Sequence, residues 1–337
     1  MVDKIPRYSE DKSITFGIQN LTALKNGTGQ IKFTGAYINL APVCNFNCDG
    51  CFTHTNYKKN IKLTFQQIKR IIDFAKDWGA KSIIFAGAGE PTLDPQFKEI
   101  IGYIKKQNLQ LVLFTNMTTL MNKTEAKKFL LLGPVIGKLY TLNEKKYNEI
   151  THCKTAFKDA MQGLNYLIEA RKELKREKQK AVLSIDSPVT KENYKDLPDL
   201  LRFCRKKKVI PYFEGFIELG QSKKTVEKLS VSEKKLAQLF QKLQKIDKTE
   251  FSISTLVSLG TRNYGMAVCN KATHMFSVRE DGSVCMCICT LRKVGNILDQ
   301  KDPYKSLEKI FNVKNKKLLN YFVCDYCSKS INPKYLK

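Results

Sequence analysis

Residues 35–51 read GAYINLAPVCNFNCDGC, a short strand-like run that leads directly into a loop containing Cys44, Cys48 and Cys51. Three residues and then two separate these cysteines. Thiolates this close together on a loop can surround one [4Fe-4S] cubane, which takes four ligands, so three local cysteines leave one iron open. Two other interpretations remain open at this point: a zinc site with His54 as its fourth ligand, or half of a ferredoxin-like motif.

The segments after this loop alternate about six times between helical and strand-like patterns. Such alternation predicts parallel strands joined by right-handed crossovers. The predicted fold class is therefore α/β, a partial (β/α)6 TIM-like barrel that falls short of the eight strands of a complete one. Helices are predicted at 64–78, 95–107, 123–132, 155–177 and 195–206, and strands at 35–40, 82–91, 109–116, 135–142, 181–189 and 209–219.

The pattern changes after Gly220. A lysine-rich helix is predicted from Ser232 to Ile246, followed by a cysteine-rich region with short strand-like pieces and a DG turn. We predict four parts, with these bounds: an N-terminal extension (1–34), the partial barrel (35–225), a linking helix (226–250) and a small C-terminal α+β domain (251–337).

The CxxxCxxC motif after the first strand resembles the signature of the radical S-adenosylmethionine (SAM) superfamily. The resemblance implies that the open iron of the cluster chelates the amino and carboxylate groups of SAM. It also implies one-electron reduction, cleavage of the sulfonium C–S bond, and a 5′-deoxyadenosyl radical that removes hydrogen from a substrate. The electron would come from a flavodoxin or ferredoxin-type protein.

Further motifs follow the predicted strands in the order that this family shows. The AGEP sequence at residues 88–91 resembles the family's GGEP motif, and the TN pair after the third predicted strand resembles its TN motif. A carboxylate there offers a charge-assisted hydrogen bond to the methionine ammonium group, and a glycine allows close backbone approach. The resemblance implies SAM contacts from Gly89, Glu90, Thr115, Asn116, Thr141 and Asn143.

Two positions depart from the family pattern. The residue before the third cysteine is usually aromatic or His and packs on adenine, but here it is Gly50. We therefore expect Phe52 or backbone atoms to contact the adenine. Ala88 replaces the first glycine of GGEP.

The C-terminal cysteines resemble those of the SPASM domain, or of its shorter twitch form, which holds auxiliary iron–sulfur clusters. The resemblance implies one auxiliary [4Fe-4S] cluster with a ligand set of Cys269, Cys287, Cys324 and Cys327. Cys285 and Cys289 alternate with Cys287 in what is predicted to be a strand, and either is an alternative to it. They are also candidate hydrogen-atom donors, a role open as well to Cys153 and Cys204. A structural zinc ribbon is the competing interpretation.

The substrate is not fixed by the motifs. The family resemblance fits dehydrogenation, epimerisation or crosslinking of a small molecule such as an aminosugar, or of a peptide. The roughly 35 residues before the first strand are too few for a leader-peptide domain, which weighs against a peptide. Tyr212, Glu214 and Glu218 alternate at the end of the last predicted barrel strand and are candidates for substrate binding.

The formal net charge is +26, yet only nine of the 58 basic residues are Arg, and the lysines are spread along the chain. This pattern favours a solvated lysine-rich surface over a nucleic-acid site, although an anionic substrate fits either. An RNA-modifying radical enzyme and a non-enzymatic iron–sulfur or zinc-binding protein remain alternatives. No apolar run is long enough for a membrane span, and the polar amino terminus lacks the apolar segment of a secretory signal, so we expect a cytoplasmic protein with reduced cysteines.

Overall fold

The computed structural model describes residues 10–53, 62–217, 219, 225–254, 263–264 and 271–321. The chain divides into two compact units. The cysteine-loop unit comprises the described residues of 44–55 and 114–268, and the β1 unit comprises those of 6–43, 56–113 and 269–337.

The cysteine-loop unit contains three parallel strands, ordered β4-β5-β6, with β7 antiparallel to β6. The helix before each strand crosses between parallel neighbours, as the sequence pattern predicts. Its elements are α4 (Lys123–Leu132), β4 (Val135–Lys138), α5 (Glu144–Thr151), α6 (Ala156–Arg176), β5 (Leu183–Val189), α7 (Leu197–Lys206), β6 (Ile210–Gly215), α8 (Val226–Leu229), α9 (Glu233–Phe251) and β7 (Asn263–Tyr264).

The β1 unit contains a mixed sheet in the order β10-β9-β8-β1-β2-β3. Strand β8 runs parallel to β1, whereas β9 and β10 continue antiparallel from it. Its elements are α1 (Glu10–Asn26), β1 (Gly35–Ile38), α2 (Phe65–Asp77), β2 (Ser82–Phe85), α3 (Phe97–Lys106), β3 (Gln110–Thr115), β8 (Met275–Val278), β9 (Ser283–Cys285), β10 (Lys293–Asn296) and α10 (Pro303–Ile310). Strand β3 begins in this unit, and its last residues, from Phe114, belong to the cysteine-loop unit.

Helix α2 forms where its sequence predicts it. The Thr64 side chain accepts a hydrogen bond from Gln67 N, and the Gln67 side chain accepts one from Thr64 N, which completes a capping box. Ile71 and Ile72 lie about one helical turn after Ile68, and the three buried side chains form an apolar stripe along the helix. Burial of such side chains stabilises the helix by roughly 1.5–3 kcal/mol each.

An aromatic cluster forms the core of the β1 unit. The ring of Phe33 lies 4.7 Å from that of Phe276 and 4.9 Å from that of Phe311 between centroids. Phe74 of α2 stacks on Trp78 at 4.4 Å. The C-terminal segment therefore contributes two rings to the core that contains β1 and α2.

A buried ion pair joins three elements of the cysteine-loop unit. Arg205 of α7 donates to both carboxylate oxygens of Asp247 of α9, at 2.8 and 2.6 Å. The Tyr264 hydroxyl of β7 donates to the same carboxylate at 2.5 Å. A bidentate pair with a third donor compensates for burying the charge, so α7, α9 and β7 are held together.

The structure differs from the sequence prediction in two respects. Helices α1, α5 and α10 were not predicted. The prediction that Cys285, Cys287 and Cys289 alternate along one strand is wrong, because β9 ends at Cys285 and the chain then turns so that β10 can pair back with it. The four predicted domain bounds remain a prediction.

Candidate functional site

The cysteine loop is held against the C-terminal end of α5. Backbone N–H groups of Asn47 and Asp49 donate to the carbonyls of Thr151 and Ile150, at 3.1 and 3.2 Å. The last carbonyls of a helix have no partner inside the helix, and the loop supplies donors for two of them. The loop backbone is therefore fixed by main-chain bonds that do not depend on side-chain identity.

Side chains add to this anchoring. His152 ends α5 in the left-handed conformation, with φ of 52°. Its Nε2 atom lies 2.8 Å from Asp49 Oδ1 in the loop. The Thr225 hydroxyl donates to Asp49 O at 3.1 Å, and the Lys228 ammonium group lies 3.9 Å from Asp49 Oδ2. Asp49 thus connects the loop to the end of α5 and to α8 with its N-cap residue.

The three thiols of the loop lie close enough to affect one another. The pKa of Cys48 is raised to about 12, mainly by burial and to a smaller extent by the neighbouring Cys51 and Cys44. A hydrogen bond with Tyr140 and the charge of Lys138 act in the opposite direction. In the described ranges, no three His, Cys, Asp or Glu side chains converge as ligands of a single metal ion.

These thiols fit the donor set of an iron–sulfur cluster. Soft thiolates are the ligands that such clusters take, each on its own iron. Phe46 N donates to Cys44 Sγ at 3.4 Å, the kind of N–H···S bond that surrounds cluster sulfurs. Burial and the neighbouring thiols disfavour the thiolate form of Cys48, and a cationic iron core would favour it.

A ring of hydrogen bonds joins the loop to the end of β3. Asn116 Nδ2 donates to Asn45 Oδ1 at 2.7 Å, and Asn45 Nδ2 donates to Thr118 Oγ1 at 2.7 Å. Asn116 Oδ1 accepts from the Thr118 hydroxyl, also at 2.7 Å. Thr115 is buried, and its Oγ1 accepts from Met117 N at 2.9 Å. The predicted TN pair therefore lies beside the cysteine loop.

Thr141 and Asn143 hold the start of α5. The buried Thr141 hydroxyl donates to Asp196 Oδ2 at 2.7 Å, where the Lys146 ammonium group also donates at 2.6 Å. Asn143 Oδ1 accepts from Lys146 N and caps the helix. These bonds give both residues a structural role, and their contact with SAM remains a prediction.

Gly50 lies against an aromatic residue that the sequence pattern did not indicate. A Cβ atom at Gly50 would lie 3.0 Å from Cε2 of Phe216, which is buried just after β6. Phe216 therefore places an aromatic ring beside Gly50, the position where the family usually has an aromatic residue or His. Phe52 is half-buried. Phe216 lies in a largely apolar stretch that is typical of a buried strand, so the sequence did not indicate it as a site residue.

A row of polar side chains lies across β4, β5 and β6. Lys138 forms an ion pair with Asp186, which is fully buried, and its ammonium group lies 3.9 Å from Glu214 Oε1. The Tyr212 hydroxyl donates to Glu214 Oε2 at 3.2 Å. Burial lowers the pKa of Lys138, but Asp186 and Glu214 outweigh it, and the net shift is upward. Lys138 is therefore a cation, and the charges of Lys138 and Cys51 influence each other.

In the β1 unit, the AGEP turn is fitted to the residues just before the cysteine loop. Gly89 has φ of 122°, and a Cβ there would lie 2.2 Å from Val43 O. Glu90 N donates to the same carbonyl at 2.8 Å. The buried Glu90 carboxylate accepts from the Thr92 hydroxyl at 2.6 Å. Asp94 Oδ2 accepts from Ala41 N at 2.7 Å, so residues 41–43 are held from two sides.

The C-terminal cysteines of the β1 unit have distinct surroundings. Cys285 is fully buried beside Arg279, and burial raises its pKa. In the turn that follows, Cys289 N donates to Cys287 Sγ at 3.4 Å, which matches the bond at Cys44. Tyr37 of β1 lies near Cys287 and Cys289, and burial raises its pKa to about 12.

Five residues of the sequence predictions lie outside the described residues: His54, Glu218, Cys269, Cys324 and Cys327. Among the described helices, none combines the length and the apolar composition that crossing a bilayer requires.

Three curated proteins illustrate the sequence similarity. The tungsten-containing aldehyde ferredoxin oxidoreductase cofactor-modifying protein of Pyrococcus furiosus is 27% identical over 169 residues, 50% of this chain and 47% of that protein. The probable GTP 3′,8-cyclase of Methanocaldococcus jannaschii is 30% identical over 189 residues, 56% and 60% respectively. The S-adenosylmethionine-dependent nucleotide dehydratase of Selenomonas ruminantium is 33% identical over 85 residues, 25% and 30%. The matched stretch thus spans between 30% and 60% of these relatives.

Two solved structures share the fold. SuiB of Streptococcus suis, bound to its precursor peptide SuiA, superposes with a TM-score of 0.60 at 16% identity, covering 91% of this chain and 74% of SuiB. The anSMEcpe protein with bound AdoMet and peptide gives a TM-score of 0.56 at 18% identity, covering 88% and 86%. The predicted α/β fold of a partial TIM-like barrel is confirmed by this likeness.

The family model described as the Radical SAM superfamily matches residues 38–204, which include the cysteine loop, the AGEP turn and the TN pair. This family implies an enzyme that uses a [4Fe-4S] cluster and SAM. Through these residues, the chain belongs to the radical SAM superfamily.

Proposed function

We propose that this chain cleaves SAM reductively at a [4Fe-4S] cluster bound by Cys44, Cys48 and Cys51, and directs the resulting 5′-deoxyadenosyl radical at a substrate hydrogen. When bound, the cluster supplies the electron that splits the sulfonium C–S bond. The observation that carries the proposal is the cysteine loop itself. Its backbone is fixed on α5, and its three thiols lie close enough for their charges to interact.

The roles of the surrounding residues follow from their positions. Asn116 orients the loop through Asn45, and Phe52 and Phe216 offer rings near Gly50 for an adenine. Gly89 and Glu90, from the AGEP turn, are proposed to bind the methionine ammonium group. Enclosure by such groups keeps water and stray hydrogen donors away from a radical.

We place an auxiliary [4Fe-4S] cluster on Cys269, Cys287, Cys324 and Cys327. The N–H···S bond at Cys287 supports it, since it repeats the arrangement at Cys44. Because Cys289 lies in the same turn as Cys287, whereas Cys285 lies in β9, we prefer Cys289 to Cys285 as the alternative ligand. Cys285 is buried on β9 beside Arg279, and a thiol that burial keeps protonated retains the hydrogen that an epimerase would donate.

The reaction class proposed is dehydrogenation, epimerisation or crosslinking. The curated relatives are named for nucleotide and cofactor chemistry, and the solved structures contain peptides. The electron donor is proposed to be a flavodoxin or ferredoxin-type protein in the cytoplasm. A lysine-rich chain of net charge +26 suits an anionic substrate.

Anaerobic reconstitution tests the proposal. Wild-type protein should contain iron and sulfide and, with SAM and dithionite, should release 5′-deoxyadenosine slowly without substrate. Cys48→Ala should lose this product and alter the paramagnetic spectrum. Cys153→Ala is the matched control, because Cys153 is half-buried like Cys48 and its thiol contacts only Thr155 among the described residues. Equal product from Cys48→Ala and wild type would contradict the proposal.

A further inference from the structure

The polar row of Lys138, Asp186, Tyr212 and Glu214 lies on one face of the β4-β5-β6 sheet. Lys138 is paired in register with Asp186, and Asp186 with Tyr212. Residues in register on parallel strands point to the same side, and Glu214 lies two residues beyond Tyr212 on the same face. The charges of Cys51 and Lys138 interact, so this face is the one near the cysteine loop.

Lys138 and Glu214 lie close together in this row but form no direct hydrogen bond with each other. Lys138 donates to Asp186, but its ammonium group is 3.9 Å from Glu214 Oε1, which exceeds hydrogen-bond distance. Glu214 Oε2 accepts from Tyr212, whereas Oε1 accepts no hydrogen bond from the residues that the structure describes. An oxygen about 2.8 Å from both atoms would complete the row.

The chemistry of these two atoms determines which group could form hydrogen bonds with both of them. Lys138 Nζ can only donate, and Glu214 Oε1 can only accept. A hydroxyl group accepts from the first and donates to the second. An ammonium group could donate to Glu214 but cannot accept from Lys138, and a carboxylate could accept from Lys138 but cannot donate to Glu214. A neutral hydroxyl therefore satisfies both partners, which neither ion does.

If the Lys138–Asp186 ion pair were purely structural, it would not require Glu214 beside it. Lys138 and Asp186 already neutralise each other, so Glu214 adds a third, 15% exposed charge to a face near the cysteine loop. Thr115 and Thr141, which are expected to contact SAM in this unit, lie at the end of β3 and just after β4. The row instead extends to β5 and β6, beyond those positions.

We infer that Lys138 and Glu214 bind a hydroxyl group of the substrate, so the substrate is hydroxylated at or next to the position that reacts. The inference rests on the proposed function, since it assigns the substrate class of the same site. It selects sugar-like or other hydroxylated substrates over those that present an amine or a carboxylate at this position.

Fragment soaking tests this inference directly. Crystals of the protein with SAM are soaked in glycerol, methylammonium chloride or sodium acetate at one concentration. A glycerol hydroxyl is expected within hydrogen-bond distance of both Lys138 Nζ and Glu214 Oε1, with no methylammonium or acetate in its place. Glu214→Met should lose the glycerol, whereas Glu169→Met, which removes an exposed carboxylate from α6, should retain it.

Several outcomes would overturn the inference. These are acetate or methylammonium at the pair, a hydroxyl of SAM itself at the pair, or direct contact between Lys138 and Glu214 that excludes all three fragments. The wild-type soaks decide the matter even if Glu214→Met does not fold. Failure of the proposed function would appear separately, as missing iron or missing 5′-deoxyadenosine in the reconstitution experiment, which does not involve Glu214.

Discussion

Single residues of the site are constrained by the backbone that they face. Gly89 has a φ value that L side chains rarely adopt, and the Val43 carbonyl occupies the position where its Cβ would be. Gly163 of α6 has ordinary helical geometry, but its Cβ would lie 2.1 Å from Met117 O in the turn after β3. In both places, the glycine allows a neighbouring backbone segment to approach closely.

We predict that Gly89→Ala destabilises the protein by more than about 2 kcal/mol, because it combines a backbone clash with an unfavourable φ. Denaturant unfolding measures the change. Gly102→Ala in α3 is the control, since a Cβ there meets nothing within 4 Å. That substitution should be neutral or stabilise the helix by up to about 1 kcal/mol. Equal unfolding midpoints for the two variants would contradict the assignment of Gly89.

The sequence indicated some of these residues and not others. Cys44, Cys48 and Cys51 were visible from their spacing alone. Lys138, Asp186 and Phe216 were not predicted, because each lies within or beside a strand-like run in which a single residue gives no local signal. Only Asp186, in the run LSIDSPV, indicated such a polar row, since a carboxylate in a buried strand needs a partner. Its partner Lys138 is 48 residues away in the chain.

At the level of elements, α5 supports the cysteine loop. Its sequence, EKKYNEIT, has eight residues and few apolar ones, so no periodicity predicted it. The helix α2, in contrast, carries a capping box and a full apolar stripe, and was predicted almost to its ends. The element closest to the predicted cluster was thus the harder one to predict, because loop contacts stabilise it more than its own pattern does.

We predict that His152→Ala loosens the cysteine loop, because Asp49 loses its side-chain partner on α5. Supporting residues around metal sites typically change metal affinity about 10-fold or more when removed. Iron release from reconstituted protein to a chelator should therefore be about 10-fold faster, with a changed paramagnetic spectrum on addition of SAM.

His152→Gln provides the control for this experiment, since its amide can still donate to Asp49 and should restore slow release. Thermal unfolding of the apoprotein separates local from global effects, because His152 is half exposed and its loss should cost little overall stability. Equal release rates for wild type and His152→Ala would show that main-chain bonds alone hold the loop.

At the scale of the molecule, the C-terminal segment is part of the β1 unit rather than only an appendage to the barrel sequence. Strand β8 pairs with β1, about 240 residues earlier in the chain. Arg70 of α2 forms a bidentate ion pair with Asp302 at the start of α10, at 3.1 and 2.8 Å. Sequence patterns are local and cannot reveal such pairings, so the C-terminal strands were predicted from the sequence but their pairing with β1 was not.

This arrangement predicts how the β1 unit unfolds. Trp78 is the single tryptophan of the chain, and it lies in the aromatic cluster, so its fluorescence reports on this core. Phe311 is fully buried beside Phe33, and Phe311→Ala should lower the free energy of unfolding by about 3–5 kcal/mol, as seen in urea by Trp78 fluorescence. Leu298→Ala, at a half-exposed position, should change it by less than about 1 kcal/mol. If the C-terminal segment instead folded independently, Phe311→Ala would leave the Trp78 transition in place and shift only the far-UV circular dichroism.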